Sequence, residues 1–259
     1  MKVLIVNTSE KTGGAAIAAN RLFKALNRNG VDATMLVRDK HSSDKKVFAL
    51  KNTLQAKLQF VLERLSIFLF NKFDKKRLFR VSFANTGTDI TELKEFKEAD
   101  VIHLHWINQG MLSLKDIDRI VKSGKPVVWT MHDMWVFTGA CHYNEECTKF
   151  LETCGSCPIL HSNCRNDISY RLQQRKKSIY DKSNICFVSC SKWLRNIAAE
   201  SNVLKNERVV DVPNTIDTAI FKEKDKKGIR EKYNLPTDKK LLLFSSAKIS
   251  DEIRNYCYN

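Results

Sequence analysis

Lys2-Val-Leu-Ile-Val-Asn7, the turn Thr8 to Gly13-Gly14, a segment ending at Asn29-Gly30, and Ala33-Thr-Met-Leu-Val37 form the stretch that decides the fold. The first run is short, apolar and bounded by polar residues, the pattern of a buried strand. Ala15, Ala18, Leu22, Ala25 and Leu26 fall on one stripe of the next segment. Asn29-Gly30 is a helix stop. Strand, helix and strand in that order make a βαβ unit, which predicts parallel pairing with a right-handed crossover.

The alternation continues along the chain. Residues 51–80 read as helical and partly amphipathic. Strands are expected at Asp100–His105, Pro126–Met131, Cys186–Ser189 and Arg208–Val212. Ser113-Leu-Lys-Asp116 is a capping box, opening a helix with Ile117, Ile120 and Val121 inward and Gly124 as its stop. The fold class is therefore α/β: a doubly wound, Rossmann-like parallel sheet over residues 1–212, with a cysteine-rich loop insertion at 138–167. Residues 213–239 read as a linker. Leu241–Ser246 reads as the first buried strand of another domain, with thirteen residues after it. A parallel strand needs both faces covered, so 240–259 is expected to be a truncated start of a second domain.

The 259 residues hold 44 Lys and Arg against 29 Asp and Glu, a net charge of +15. Such an excess fits an anionic partner or simply a highly charged surface. It concentrates at Lys72–Arg80, Arg171–Lys177 and Lys222–Lys232. The opening apolar run ends at Val6, too short for a signal peptide. Leu58–Phe70 is interrupted by Glu63 and Arg64 and falls short of the ~20 apolar residues a span requires. A cytosolic location is expected, so the eight cysteines point to metal or reduced thiols more than to disulfides.

Ligands of doubly wound sheets bind outside the carboxyl ends of the strands. Gly13 and Gly14 follow the first strand, His105 and Trp106 a central one, His132 and Asp133 the next, and Ser191 and Lys192 a later one. These tips are expected to converge on one crevice. The diglycine leads into a helix whose N-terminal N–H groups suit a phosphate, or it serves turn geometry alone. It does not match the dinucleotide pattern G-x-G-x-x-G. A neutral His132 could bond a sugar hydroxyl or phosphate oxygen, or be satisfied by local backbone. His103 and His105 are taken to face opposite sides of the sheet, with His105 chosen for the site.

Cys141, Cys147, Cys154 and Cys157 are spaced for a closed, structural zinc site, the last pair two residues apart around Gly155. Cys164 is a substitute ligand, and unliganded thiols are the alternative. Leu58–Phe70 with its basic continuation could rest on an anionic membrane, but a core-facing helix with a solvated basic end is the favoured expectation. No helix-turn-helix, finger or RNA-recognition spacing is present, so nucleic acid is not an expected partner.

Several segments together resemble glycosyltransferase family 4: Val3-Leu-Ile-Val-Asn…Gly13-Gly14-Ala, Val101-Ile-His-Leu-His-Trp106, Trp129-Thr-Met-His-Asp-Met-Trp135, Phe187-Val-Ser-Cys-Ser191 and Val212-Pro-Asn-Thr-Ile-Asp217. With the Thr-Gly-Ala-Cys-His-Tyr…Cys-Gly-Ser-Cys-Pro insert they look like a bacterial subgroup of surface-polysaccharide assembly. The resemblance implies the N-terminal half of a two-domain GT-B fold, and retaining transfer from a nucleotide-sugar donor to a glycan or lipid-linked acceptor. Gly13 and Gly14 would then approach the donor phosphates and His132 the donor sugar. By the same resemblance Lys248 would match the first basic residue of the family's donor site, whose second basic residue and glutamate pair find no match. The enzyme is therefore expected to be impaired alone. The rivals are a non-catalytic acceptor- or subunit-binding module and a basic nucleic-acid-binding protein.

Overall fold

A computed structural model describes residues 1–50 and 53–243. The chain divides into two compact units, Met1–Thr215 and Ile216–Asn259. The first unit carries seven strands: β1 (Lys2–Ser9), β2 (Asp32–Asp39), β3 (Val47–Ala49), β4 (Val101–Leu104), β5 (Val127–Met131), β6 (Cys186–Ser189) and β7 (Val209–Asp211). They form one sheet in the order β3-β2-β1-β4-β5-β6-β7, every pair parallel. The chain moves outward from β1 to β3, then returns to β4 on the other side of β1. The direction of winding thus reverses between β1 and β4, the position where such sheets open a ligand crevice.

Alternation along β1 divides the core. Val3 and Ile5 meet Ala19 and Phe23 of α1 (Gly14–Arg28) on one face. Leu4 and Val6 face the larger cluster, with Ile102, Leu104, Trp129 and Phe187. That side is covered by α3 (Lys94–Glu98), α4 (Leu114–Lys122), α5 (Ile168–Tyr180) and α6 (Lys192–Glu200). The doubly wound expectation is therefore met. α4 begins on the expected capping box, Ser113 accepting from Asp116 N and Asp116 from Ser113 N.

Several expectations need correction. On α1 the expected Ala18 is buried and Leu22 and Leu26 pack half-buried against the core, but the stripe centres on Ala16, Ala19 and Phe23, about one position around the helix. Among the described residues of 51–80, the α-helix is α2 (Thr53–Phe70), with a single 3-10 turn at Lys75–Arg77 beyond it. Asn71 ends α2: its amide donates to Asp74 O at 2.7 Å and accepts from Asp74 N at 3.1 Å, and Lys72 and Phe73 turn to positive φ. The short edge strand β3 and helices α3, α5 and α6 come in addition to the elements read from sequence. α5 escapes a search for apolar periodicity because its buried face includes Ser169, Gln173 and Lys176.

In the second unit, α7 (Lys226–Lys232) forms within the expected linker, capped by Asp225. Half of the strand expected at Leu241–Ser246 lies outside the described residues, and Leu241–Leu243 are exposed without regular structure.

Candidate substrate site at the carboxyl edge

Parallel register sets the tips of β1, β4, β5 and β6 side by side on one edge. Thr8 at the end of β1 donates from N to Trp106 O at 2.8 Å and from Oγ1 to Asn108 O at 2.9 Å. Asn7 accepts from Trp106 N at 2.9 Å. These bonds tie the tip of β1 to the chain leaving β4. Gly13 has φ +92° and ψ 162°, a conformation confined almost to glycine. α1 starts directly after it with no side-chain cap. A Cβ at Gly13 or Gly14 would meet nothing within 4 Å, so the helix N-terminus is open to approach.

His103 and His105 share one face of the sheet, against the expectation of opposite faces. Residues two apart in a strand point the same way, and their rings stack with centroids 4.5 Å apart. His103 bonds Thr130 Oγ1 at 2.8 Å. His105 Nδ1 lies 2.9 Å from His132 Nε2. Burial lowers His103 to about 4 and holds His105 and His132 below the ordinary histidine range. All three are neutral at pH 7, so one proton is shared along the His105–His132 contact. His105 Nε2 is buried without a partner. A bare lone pair there costs less than an orphaned N–H, so the hydrogen-bond network assigns the proton to His105 Nδ1. His132, only partly buried, then carries its own proton on Nδ1, where it can donate.

Asp133 does not face this edge freely. Its Oδ2 accepts from Trp106 Nε1 at 2.9 Å and meets His142 Nδ1 at 2.7 Å, while Oδ1 accepts from Trp135 N at 2.9 Å. Burial works to raise its pKa, but His142 and these donors together hold it below the usual carboxylate range. Asp133 is thus a brace between Trp106 and the insert. His142, on the other side, reaches Ser82 Oγ at 3.1 Å. Ser191 caps α6, its oxygen accepting from Leu194 N at 3.2 Å. Lys248 lies outside the described residues. Asn7 and His142 are site-building residues that the sequence did not single out individually, and Trp106 was placed at its strand tip without a role. The one signal for His142 was its place in the Thr-Gly-Ala-Cys-His-Tyr segment.

Cys141, Cys147, Cys154 and Cys157 all line one cavity of about 20 Å³. Gly155 has φ +146°, and a Cβ there would fall 2.0 Å from Arg165 O, so the turn between the last two cysteines admits only glycine. Lys149 Nζ donates to Gly155 O at 3.1 Å and Ser156 O at 3.0 Å. Burial pushes Cys141 up to about 12 and Cys154 to about 11. Among the described residues no three His, Cys, Asp or Glu side chains are grouped within reach of one metal ion. The fully buried Lys176 holds the insert from below, donating to the carbonyls of Trp135 and, at 3.1 Å, Thr138. Burial brings its pKa down to about 7.

A doubly wound parallel sheet, with an open helix N-terminus at its switch point and a neutral imidazole farther along the same edge, defines a Rossmann-like α/β domain. The family model described as Glycosyltransferase Family 4 matches residues 12–220, most of the chain, and the chain belongs to that family. A protein of Escherichia coli (strain K12) named as a colanic acid biosynthesis glycosyl transferase, WcaC, is 32% identical over 88 residues, 31% of this chain. The match spans only 22% of that relative's length. A solved alpha-glucosyltransferase, in complex with UDP and a 13-mer DNA containing a central A:G mismatch, covers 90% of this chain and 43% of its own at 11% identity and TM-score 0.36. A likeness that loose carries no argument. Among the described residues no helix is long and apolar enough to cross a membrane.

Proposed function

We propose that this domain is the acceptor-side half of a retaining, GT-B glycosyltransferase. It works on a nucleotide-sugar donor and a glycan or lipid-linked acceptor of surface-polysaccharide or glycolipid assembly, at the cytoplasmic face of a membrane. The carrying observation is the carboxyl edge of the sheet, where the uncapped N-terminus of α1 follows β1 at the β1–β4 switch point and the partly buried His132 follows β5, one strand beyond β4. Family membership and the name of the polysaccharide-assembly relative support the choice of reaction. In the transfer the acceptor oxygen bonds the anomeric carbon, the bond to the diphosphate breaks and the acceptor proton is lost. The helix N–H groups would meet the diphosphate charge and His132 a sugar hydroxyl, both fixed in advance of the reaction. Neutral imidazole suits that task, since it donates without adding a charge that the buried site would have to solvate.

Equilibrium dialysis against a panel of uridine, guanosine and adenosine diphosphate sugars tests this. Saturable binding of at least one donor is expected, weakened about tenfold or more in His132→Ala with its circular dichroism unchanged, the loss of one or two directed hydrogen bonds. Donor-independent, saturable binding of a lipid-linked glycan with no donor binding would instead favour a non-catalytic acceptor module.

The same proposal includes a structural zinc ion held by Cys141, Cys147, Cys154 and Cys157. Its support is their shared cavity, the two-residue spacing and the glycine-only turn at Gly155. Binding requires the thiols to turn inward upon the ion. Elemental analysis is expected to give about one zinc per chain, lost in Cys154→Ser. Metal-free protein with the same melting temperature before and after zinc addition would remove the ion from the account.

A further inference from the structure

Helix α2 buries Ala56 and Ile67 on its inward face, Ile67 in an apolar cluster with Val81 and Phe83, and beside them three polar side chains: Gln59, Glu63 and Arg64. Each is bonded to the backbone that follows. Glu63 Oε1 accepts from Phe83 N and Ala84 N at 3.0 Å each, Gln59 Nε2 donates to Gly87 O at 2.6 Å, and Arg64 Nη1 donates to Leu78 O at 2.7 Å. These bonds fix the rotation of the helix about its axis. The outer face is then Leu54, Leu58, Val61, Leu62, Leu65 and Leu69, each between 43% and 78% exposed. Ile67 in the core and the exposed lysines past the helix end fit the expectation of a core-facing helix with a solvated basic end, and the exposed apolar stripe is additional to it. The six recur at the spacing of one helical stripe, and a contiguous exposed apolar patch of this kind marks an interaction surface.

The patch has a charged rim of one sign. Lys57 is exposed on the helix itself, and Lys72, Lys75 and Lys76 are exposed just beyond its end. None of the four has a carboxylate partner among the described residues. Exposed Phe70 ends the helix, and exposed Phe73 stands within that basic turn. Leucines and phenylalanines flanked by unpaired ammonium groups match an interfacial helix lying in the headgroup layer of an anionic bilayer. The lysines add attraction of about fivefold in affinity apiece. α2 also borders the carboxyl edge of the sheet: a Cβ at Gly110, shortly after β4, would fall 2.8 Å from Phe60 N, and the guanidinium of Arg38 from β2 lies over the Phe60 ring at 5.6 Å.

We propose that the outer face of α2, with Lys57, Lys72, Lys75 and Lys76, is the surface by which the protein docks on an anionic lipid bilayer. Docking there sets the β4 edge beside the membrane, where a lipid-linked acceptor would present its sugar. The inference deepens the membrane side of the proposed function and rests on it for the identity of the acceptor alone.

Cosedimentation with vesicles tests the surface without any sugar transfer, so the two proposals fail separately. The full chain is mixed with vesicles of phosphatidylcholine alone and of phosphatidylcholine with phosphatidylglycerol in equal parts. The expected result is binding to the anionic vesicles that weakens as salt is raised. Leu62→Gln with Leu65→Gln should reduce it about tenfold or more, and Lys75→Glu with Lys76→Glu should abolish the preference for anionic lipid. Both pairs are exposed, and near-identical melting curves would confirm intact folds. No binding by the wild type, or equal binding by the leucine pair, would overturn the proposal. So would a wild-type dimer in light scattering that the leucine pair makes monomeric, since a second copy would then occupy the face.

Discussion

At the scale of single residues, two positions carry most of the site's geometry. Gly13 holds a backbone conformation that a Cβ opposes, although the space around it is open. Gly13→Ala is therefore expected to cost about 1–3 kcal/mol through strain alone. Thermal unfolding should show the loss, and an unchanged melting temperature would mean that the turn relaxes freely. Asp133 joins Trp106, Trp135 N and His142. Asp133→Ala leaves those buried donors without an acceptor, and a loss of about 2–4 kcal/mol is expected in urea unfolding. Little change would show that water replaces the carboxylate. The sequence placed His132 and Asp133 correctly past a strand end, but neither their division of labour nor the shared face of the two strand histidines. The first depends on His142, far along the loop. The second follows from the two-residue period of a strand, which sets His103 and His105 on one side.

At the scale of elements, the legible ones are those whose buried face is apolar or whose cap is explicit. β1, β2, β4, β5 and β6 were readable from short apolar runs, and α4 from Ser113 and Asp116. α5 was not, and α2, though its segment was read as helical, hid its buried face for the same reason. Both bury polar side chains that backbone groups satisfy, Glu63 on Phe83 and Ala84 in one, Lys176 on the carbonyls of the insert in the other. Hydrophobic periodicity cannot detect such a face because the partners are distant backbone atoms. Removing the cap of α4 is the simpler test of an element. Ser113→Ala loses the bond to Asp116 N and the 2.6 Å bond to the Asp116 carboxylate, and about 1 kcal/mol of stability is expected to go with it. A loss beyond about 3 kcal/mol would show that the residue anchors more than its helix.

For the whole molecule, the buried histidines make stability depend on acid. His103 titrates at about 4 in the fold against an ordinary 6.5. Below about 6.5 the unfolded chain takes up a proton that the folded chain resists, so stability falls with falling pH down to about 4, by about 3 kcal/mol across the window. Above about 6.5 this contribution is intact. His105 and His132 shift in the same direction. The urea midpoint is expected to drop between pH 7 and pH 5, and less steeply in His103→Gln, which keeps a donor for Thr130. A flat profile in the wild type would mean that these imidazoles are solvated.

The central claim is that the tips of β1 and β5 together hold the anionic end of an activated sugar. Amide resonances of the nitrogen-15-labelled chain, followed while nucleotide sugars are added, test it most directly. The account predicts that the tightest-binding donor shifts Gly13, Gly14 and His132 together, along one saturation curve. Shifts confined to the cysteine cavity or to α2, with those three unmoved, would contradict it.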